Sequence, residues 1–142
     1  MKFEKSTDEF ENDLKEMKDK DELNGHLAQL DKIEAGRYLQ RLMDEKGISV
    51  NQLVHCINTS HSNLYKFMSG EKNGSRDLII RVACAIGMSV EETNCLLKYA
   101  GFRHLYAKDK RDSLILYGLE RKMSVNEIEE LLVEHEIDFH LC

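Results

Sequence analysis

Residues 49 to 70 read SVNQLVHCINTSHSNLYKFMSG, and the rest of the chain is interpreted from this segment outward. Ser49 is a good N-cap, and Gln52 three residues later completes a capping box, so a helix is expected to begin there. Ser60 is a second N-cap and predicts the start of another helix. Between them, Asn58 is expected to adopt left-handed backbone angles and to turn the chain. The pattern therefore predicts two short helices joined by a tight turn.

The apolar spacing assigns an inner and an outer face to each of these helices. The first helix is predicted to bury Leu53, Cys56 and Ile57, which fall at helical spacing. The inner face of the second helix carries apolar side chains: Leu64, Phe67 and Met68. Its outer face carries polar-tipped side chains, none of them acidic: His61, Ser62, Tyr65, Lys66 and Ser69. Two helices with such a face on the second are the layout of a DNA-reading helix-turn-helix.

The stretch resembles the phage-repressor and Cro-like helix-turn-helix family, the xenobiotic-response-element class, over roughly residues 35 to 101. The resemblance is carried by Gln52-Leu53 at the start of the first helix, Ile57 before the turn, Thr59-Ser60 at its end, Leu64 inside the second helix and Gly70 after it. In this family an arginine and a glutamate often form a buried ion pair between the first domain helix and the reader helix. The matching positions here are Met43 and Met68, so both members are apolar and neither charge is left unpaired.

The rest of the chain predicts an all-α protein in three parts, since it contains no proline and shows helical periodicity in most windows. Residues 1–34 form an acidic helical extension. Residues 35–103 form a five-helix repressor-like DNA-binding domain, with further helices at 35–46, 75–86 and 89–100. Residues 104–142 form a C-terminal helical hairpin, with helices at about 111 to 121 and 124 to 135.

Narrow apolar stripes run along the extension, through Phe10, Leu14 and Met17 and then through Leu23, Leu27, Leu30 and Ile33. Such stripes suit packing against another helix, either in this protein's own core or in a second copy. A solvated helix that frays is the alternative interpretation, and the sequence leaves both open.

The net charge of −6 is distributed unevenly. Residues 1–33 carry −4, residues 34–103 carry +2 and residues 104–142 carry −4. The acid therefore lies in the flanks, and the central domain is mildly but not strongly basic, although phosphate neutralisation supplies most sequence-independent affinity for DNA.

A cytoplasmic protein is expected, without a membrane span or a signal peptide, because the N-terminus MKFEKSTDEF lacks an apolar core. The four cysteines (Cys56, Cys84, Cys95 and Cys142) have no short paired spacing, and three lie on predicted apolar helix faces. They are interpreted as reduced, buried thiols.

The motif assigns two sets of candidate DNA contacts. The side chains expected to contact bases are His61, Ser62, Tyr65 and Lys66. The phosphate contacts are expected from the starts of the two helices, at Val50, Asn51 and Ser60, where the helix dipole favours anions. Side chains of the following loop are expected to add to them: Lys72, Asn73 and Arg76.

Other chemistry is not favoured. His135, His140 and Cys142 cluster near the end of the sequence, but no second ligand pair has zinc-site spacing, so a chance cluster in a frayed terminus is expected. No glycine-rich phosphate loop, nucleophile elbow or HExxH motif occurs, so neither enzymatic activity nor a cofactor is predicted.

Two functions remain open. The first is a transcriptional regulator that binds double-stranded DNA as a homodimer, with half-sites about 34 Å apart. Its acidic flanks would hold the dimer or contact a protein partner. The alternative is a protein-interaction adaptor that keeps the helical scaffold without binding DNA. The overall acidity, the modest charge of +2 on the central domain and the absence of arginine from the reader face favour this alternative.

Overall fold

The computed structural model describes residues 6–142, which form eight α-helices and no strand. The helices are α1 (Thr7–Glu16), α2 (Lys20–Lys46), α3 (Val50–Cys56), α4 (His61–Met68), α5 (Arg76–Ile86), α6 (Val90–Tyr99), α7 (Lys110–Glu120) and α8 (Val125–Glu134). The predicted all-α class is confirmed. Residues 1–5 of the predicted extension lie outside the described residues.

Helix α2 is a single 27-residue helix from the N-cap Asp19 to Gly47, whose φ of 68° ends it. It therefore continues across residue 34, where the sequence suggests a boundary between the extension and the central domain. Only its second half is extensively buried, and Leu23 and Leu27 on the first half remain exposed. The predicted boundary at residue 34 rests on the apolar stripe, which is narrower in the first half of the helix. No residue at or next to position 34 is a helix-ending signal, so the helix continues.

One ring contact joins helix α1 to the more exposed half of α2. The ring of Phe10 meets the edge of the buried His26 ring at a centroid distance of 5.4 Å. Leu14 nevertheless stays exposed, as do Leu23 and Leu27. The stripe is thus only partly covered within one chain, and its wider role stays a prediction.

The main core is formed by the second half of α2 and by α3 to α6. Its largest fully buried side chains include Leu39, Met43, Leu53, Leu64, Phe67, Ile79, Leu96 and Leu97. Helix α2 passes very close to the end of α4, since a Cβ atom on Gly36 would lie 2.2 Å from the carbonyl oxygen of Met68. Met43 and Met68 are both buried, so apolar packing occupies the two positions at which the resemblance implied an ion pair.

The turn between α3 and α4 differs from the prediction at two residues. Asn58 does not adopt left-handed angles, because the positive-φ residues of the described chain other than glycine are Lys122 and Glu136. The chain instead leaves α3 through Ile57 in an extended conformation, with φ −127° and ψ 160°. Ile57 therefore does not continue the helical face of α3. It is buried, whereas Cys56, the last residue of α3, is exposed.

The predicted C-terminal hairpin is formed by α7 and α8. Gly118 of α7 allows a close approach, since a Cβ atom there would lie 2.6 Å from Ile128. A buried ion pair joins the hairpin to the central domain, with Arg76 Nη2 2.6 Å from Asp112 Oδ2.

Residues 137–142, here called the tail segment, return to the central domain after α8. Phe139 and Leu141 are buried, so the interpretation of this region as a frayed terminus is wrong. The two apolar residues are separated by one position, a period of two that suits an extended segment with alternate side chains facing inward.

All four cysteines are free thiols, but the prediction that they are buried is largely wrong. Cys84 alone is fully buried, Cys95 is half-buried, and Cys56 and Cys142 are exposed. Burial raises the pKa of the Cys84 thiol to about 12. No helix among residues 6–142 combines the length and apolar character needed to cross a membrane.

Candidate nucleic-acid interface

The N-termini of α3 and α4 are both closed by serine caps. The side chain of Ser49 accepts from the backbone N–H of Gln52, and the side-chain oxygen of Gln52 accepts from the backbone N–H of Ser49. The predicted capping box is therefore present. The Ser60 hydroxyl accepts from the N–H of Asn63. Each cap leaves neighbouring N–H groups at the positive end of a helix dipole, among them those of the predicted phosphate contacts Val50 and Asn51.

A side-chain bridge links the starts of the two helices. His61 Nε2 lies 2.7 Å from Asn51 Oδ1 across the pair. Because an amide oxygen can only accept, the ring donates through Nε2, and Asn51 keeps its amide nitrogen as a donor for other partners. The carbonyl oxygen of Asn51 accepts in turn from His55 Nδ1 at 2.8 Å. The bridge brings predicted base and phosphate contacts into one cluster.

The first turn of α4 presents an exposed polar surface. His61, Ser62 and Asn63 are exposed, whereas Tyr65 and Lys66 are half-buried. The rings of His61 and Tyr65 stack with an interplanar angle of 21° and a centroid distance of 6.4 Å. Asn63 was not among the sequence-predicted contacts, although asparagine is a common reader of adenine and its position beside Ser62 could have indicated it.

The loop after α4 is held in place from both sides. The backbone N–H of Lys72 donates to the carbonyl oxygen of Lys66 at 3.0 Å, while its side chain is exposed. Asn73 Nδ2 donates to the carbonyl oxygen of Ala100 at 2.6 Å. Asn73 therefore has a structural role at the end of α6, and Lys72 is the loop side chain that extends into solvent.

Arg76 is directed into the protein instead of toward solvent. Its guanidinium forms two bonds with Asp112, at 2.6 and 3.1 Å, and donates to the carbonyl oxygens of Arg103 and His104. The predicted phosphate role therefore has no support from this geometry. No local pattern indicates this ion pair, because the partner carboxylate lies 36 residues further along the chain.

Asp112 is buried and ionised. Burial by itself would raise its pKa, but bonds from Arg76 and from the N–H of Tyr106, with the charges of Arg76 and Arg111, outweigh burial and lower the pKa below its usual 3.8. The pair thus stays charged throughout the neutral range and fixes α5 to the start of α7.

A polar groove of about 520 Å³ lies beside the reader helix, between the turn, the loop and α5. Its lining includes the amide and hydroxyl side chains of Asn58, Thr59, Asn63, Asn73 and Ser75. Three cations, Lys32, Lys72 and Arg81, face it together with one carboxylate, Glu71. Lys32 and Arg81 escape a sequence motif search because they belong to α2 and α5, outside the helix-turn-helix.

No three His, Cys, Asp or Glu side chains within residues 6–142 are grouped as metal ligands would be. His140 instead contacts a carboxylate of α8, with Nδ1 3.0 Å from Glu129 Oε1.

Comparison with protein families gives one result that agrees with this geometry. Residues 38–93 match the family model of the Cro/C1-type HTH DNA-binding domain. The match extends from the second half of α2 into α6 and includes both helices of the motif. This part of the chain is therefore a Cro/C1-type helix-turn-helix domain, as the resemblance implied, and it supports DNA binding in general. Comparisons with curated proteins and with solved structures gave no match.

Proposed function

We propose that this protein is a sequence-specific DNA-binding transcriptional regulator that inserts α4 into the major groove. The observation that carries the proposal is the exposed, acid-free first turn of α4, held against the start of α3 by the bond between His61 and Asn51. A helix start with polar side chains is the part of a helix-turn-helix that contacts base edges.

The proposed base contacts are His61, Ser62, Tyr65 and Lys66, with Asn63 added from its exposure. Lysine can donate to guanine O6 or N7, and asparagine can pair with adenine. The histidine offers Nδ1 to a base edge, because Nε2 is engaged by Asn51.

The proposed phosphate contacts come from the helix starts at Val50, Asn51 and Ser60 and from the side chain of Lys72. Lys32 of the groove adds positive charge at its edge. Asn73 and Arg76 are left out, because both side chains are engaged within the protein.

We further propose that the regulator acts in the cytoplasm as a homodimer that binds half-sites about 34 Å apart, one turn of DNA. Its acidic flanks would lie away from the duplex, where they avoid repulsion from phosphates. The regulator needs neither a cofactor nor catalytic residues for this function.

The experiment is equilibrium binding to random-sequence duplex at a series of salt concentrations. A regulator loses affinity steeply as salt rises, since each neutralised phosphate releases counterions. Lys66→Ala should weaken binding and reduce the slope of log affinity against log salt by about 1 if this lysine contacts a phosphate, or change base preference if it contacts a base.

Lys122→Asn serves as the matched control, because it removes a positive charge from the turn between α7 and α8. Asparagine tolerates the φ of 55° found at this position. The control should retain wild-type binding. Folded wild-type protein that binds no duplex at low salt would instead support the adaptor function.

A further inference from the structure

We propose that the tail segment positions the turn of the helix-turn-helix, with Leu141 as the principal positioning residue. The inference rests on the proposed function for its effect on DNA, but the contact itself can be tested without DNA. The contact joins Leu141 to Asn58, which lies 83 positions earlier in the chain. Asn58 belongs to the helix-turn-helix motif, whereas Leu141 lies well beyond the family match, which ends at residue 93.

The contact to the turn is a backbone hydrogen bond. The N–H of Asn58 donates to the carbonyl oxygen of Leu141 at 2.8 Å. Asn58 directly follows Ile57, the residue at which the chain leaves α3 in an extended conformation. The bond therefore restrains the backbone between the two helices, where a change of angle would re-aim α4.

Side-chain burial anchors the segment that supplies this carbonyl. Leu141 is 0% exposed and belongs to the same core cluster as Ile57 and Leu64. The Phe139 ring lies between two guanidinium groups, with Arg81 at 4.7 Å and Arg111 at 4.4 Å from its centroid. A cation over an aromatic face is attracted to it, so one arginine of α5 and one of α7 both hold the Phe139 ring in place.

Polar contacts fix the register of the segment. Arg81 Nε donates to the carbonyl oxygen of His140 at 2.8 Å. Glu129 of α8 accepts from the N–H of Leu141 at 2.7 Å through one oxygen and contacts His140 through the other. The carbonyl group of His140 is thereby bonded to α5, and the N–H and carbonyl groups of Leu141 are bonded to α8 and to the turn. A shift of the segment by one residue would break all three bonds.

The first test compares two leucine truncations that remove the same three carbons from fully buried positions. Leu141→Ala loosens the tail segment, whereas Leu132→Ala removes an equally buried side chain from α8, outside the tail segment. Amide hydrogen exchange at Asn58 and affinity for duplex are measured at a temperature where both variants are folded. Leu141→Ala should accelerate exchange at Asn58 about tenfold or more and weaken DNA binding roughly three- to thirtyfold. Leu132→Ala should leave both within about twofold.

A second pair of variants, with smaller expected effects on stability, is used if Leu141→Ala does not fold. Glu129→Ala removes the acceptor of the Leu141 N–H, and Glu130→Ala removes an exposed carboxylate from the next position of the same helix. Faster exchange at Asn58 in Glu129→Ala alone supports the inference.

Unchanged exchange at Asn58 in both Leu141→Ala and Glu129→Ala would overturn the inference, as would an equal loss of DNA affinity in Leu132→Ala. If the wild type bound no DNA, the proposed function would fail separately. Exchange at Asn58 would then still decide whether the segment holds the turn.

Discussion

Gly36 shows how one missing side chain determines the position of the reader helix. Helix α2 can approach the end of α4 only because residue 36 has no Cβ, which would meet the Met68 carbonyl oxygen at 2.2 Å and its carbonyl carbon at 2.8 Å. Backbone atoms cannot rotate away as a flexible side chain can. The sequence did not single out this glycine, because its conformation is ordinary and the constraint comes from a helix 32 residues further on.

Replacement of Gly36 by alanine should therefore destabilise the protein by about 1–3 kcal/mol, the usual cost of forcing extra volume into a packed region. Gly25→Ala is the matched control in the same helix, since nothing lies within 4 Å of its added Cβ. The control should stabilise by roughly 0.5–1 kcal/mol through helix propensity. Urea unfolding of both variants measures the difference, and equal effects would show that α2 and α4 do not pack as described.

The Cys84 thiol should be nearly inert in the folded protein. Burial raises its pKa to about 12, from an ordinary 9.0, and so reduces the reactive thiolate about a thousandfold. Cys56 is exposed at the end of α3 and serves as the internal comparison. Alkylation at neutral pH followed by peptide mass spectrometry should modify Cys56 long before Cys84. Comparable rates in the native state would contradict the burial of Cys84.

The elements of the motif were predicted from the sequence because their determinants are local. Capping boxes at Ser49, Ser89 and Ser124 join residues three positions apart, so their sequence pattern already specifies the contact. Contacts between distant elements have no such pattern. The ion pair of Arg76 with Asp112 and the bond of Asn58 to Leu141 join residues far apart, and they redefine a predicted phosphate contact and a predicted frayed terminus.

The ion pair between α5 and α7 makes a prediction for acid stability. The pKa of Asp112 is lowered in the folded protein, so the pair contributes stability above pH 3.8, the ordinary pKa, and loses it as pH falls through the lowered value. Asp112→Asn should destabilise by about 3–5 kcal/mol at neutral pH, because Arg76 would keep a largely buried charge without its carboxylate. The variant should also lose less stability than the wild type as the pH falls below 3.8, because it has no carboxylate to protonate.

Asp31→Asn is the control for this prediction, since Asp31 lies on an exposed face of α2. Thermal unfolding of the three proteins across that pH range gives the comparison. Parallel pH profiles for wild type and Asp112→Asn would show that the pair does not control acid stability.

The whole molecule is a Cro/C1-type domain with a helical hairpin and tail segment packed against it, and with a long helix that extends beyond it. The fold class and the motif could be predicted from periodicity, caps and resemblance. The direction of individual site residues could not, because Arg76 is drawn inward by Asp112, a residue of the distant helix α7. The continuity of α2 was also hidden, since its first half lacks the apolar residues that mark a helix within a core.

Binding to DNA as a homodimer is a prediction for the whole molecule. Sedimentation of protein mixed with a bound duplex should give two protein chains for each duplex, and binding should require half-sites on the same face of the DNA. Insertion of five base pairs between the half-sites rotates them by about half a turn and should abolish tight binding. A complex of one chain with one duplex, unaffected by the insertion, would contradict the dimer.

Reading of bases by α4 is tested most directly by selection of bound duplexes from a random pool, with the purified wild-type protein and with Lys66→Ala. The wild type should enrich a two-part sequence with half-sites about one helical turn apart, and Lys66→Ala should show an altered or relaxed preference at one position of each half-site. A folded wild-type protein that enriches no sequence, or a Lys66→Ala protein that enriches the same sequence with unchanged preference at every position, would contradict this role of α4.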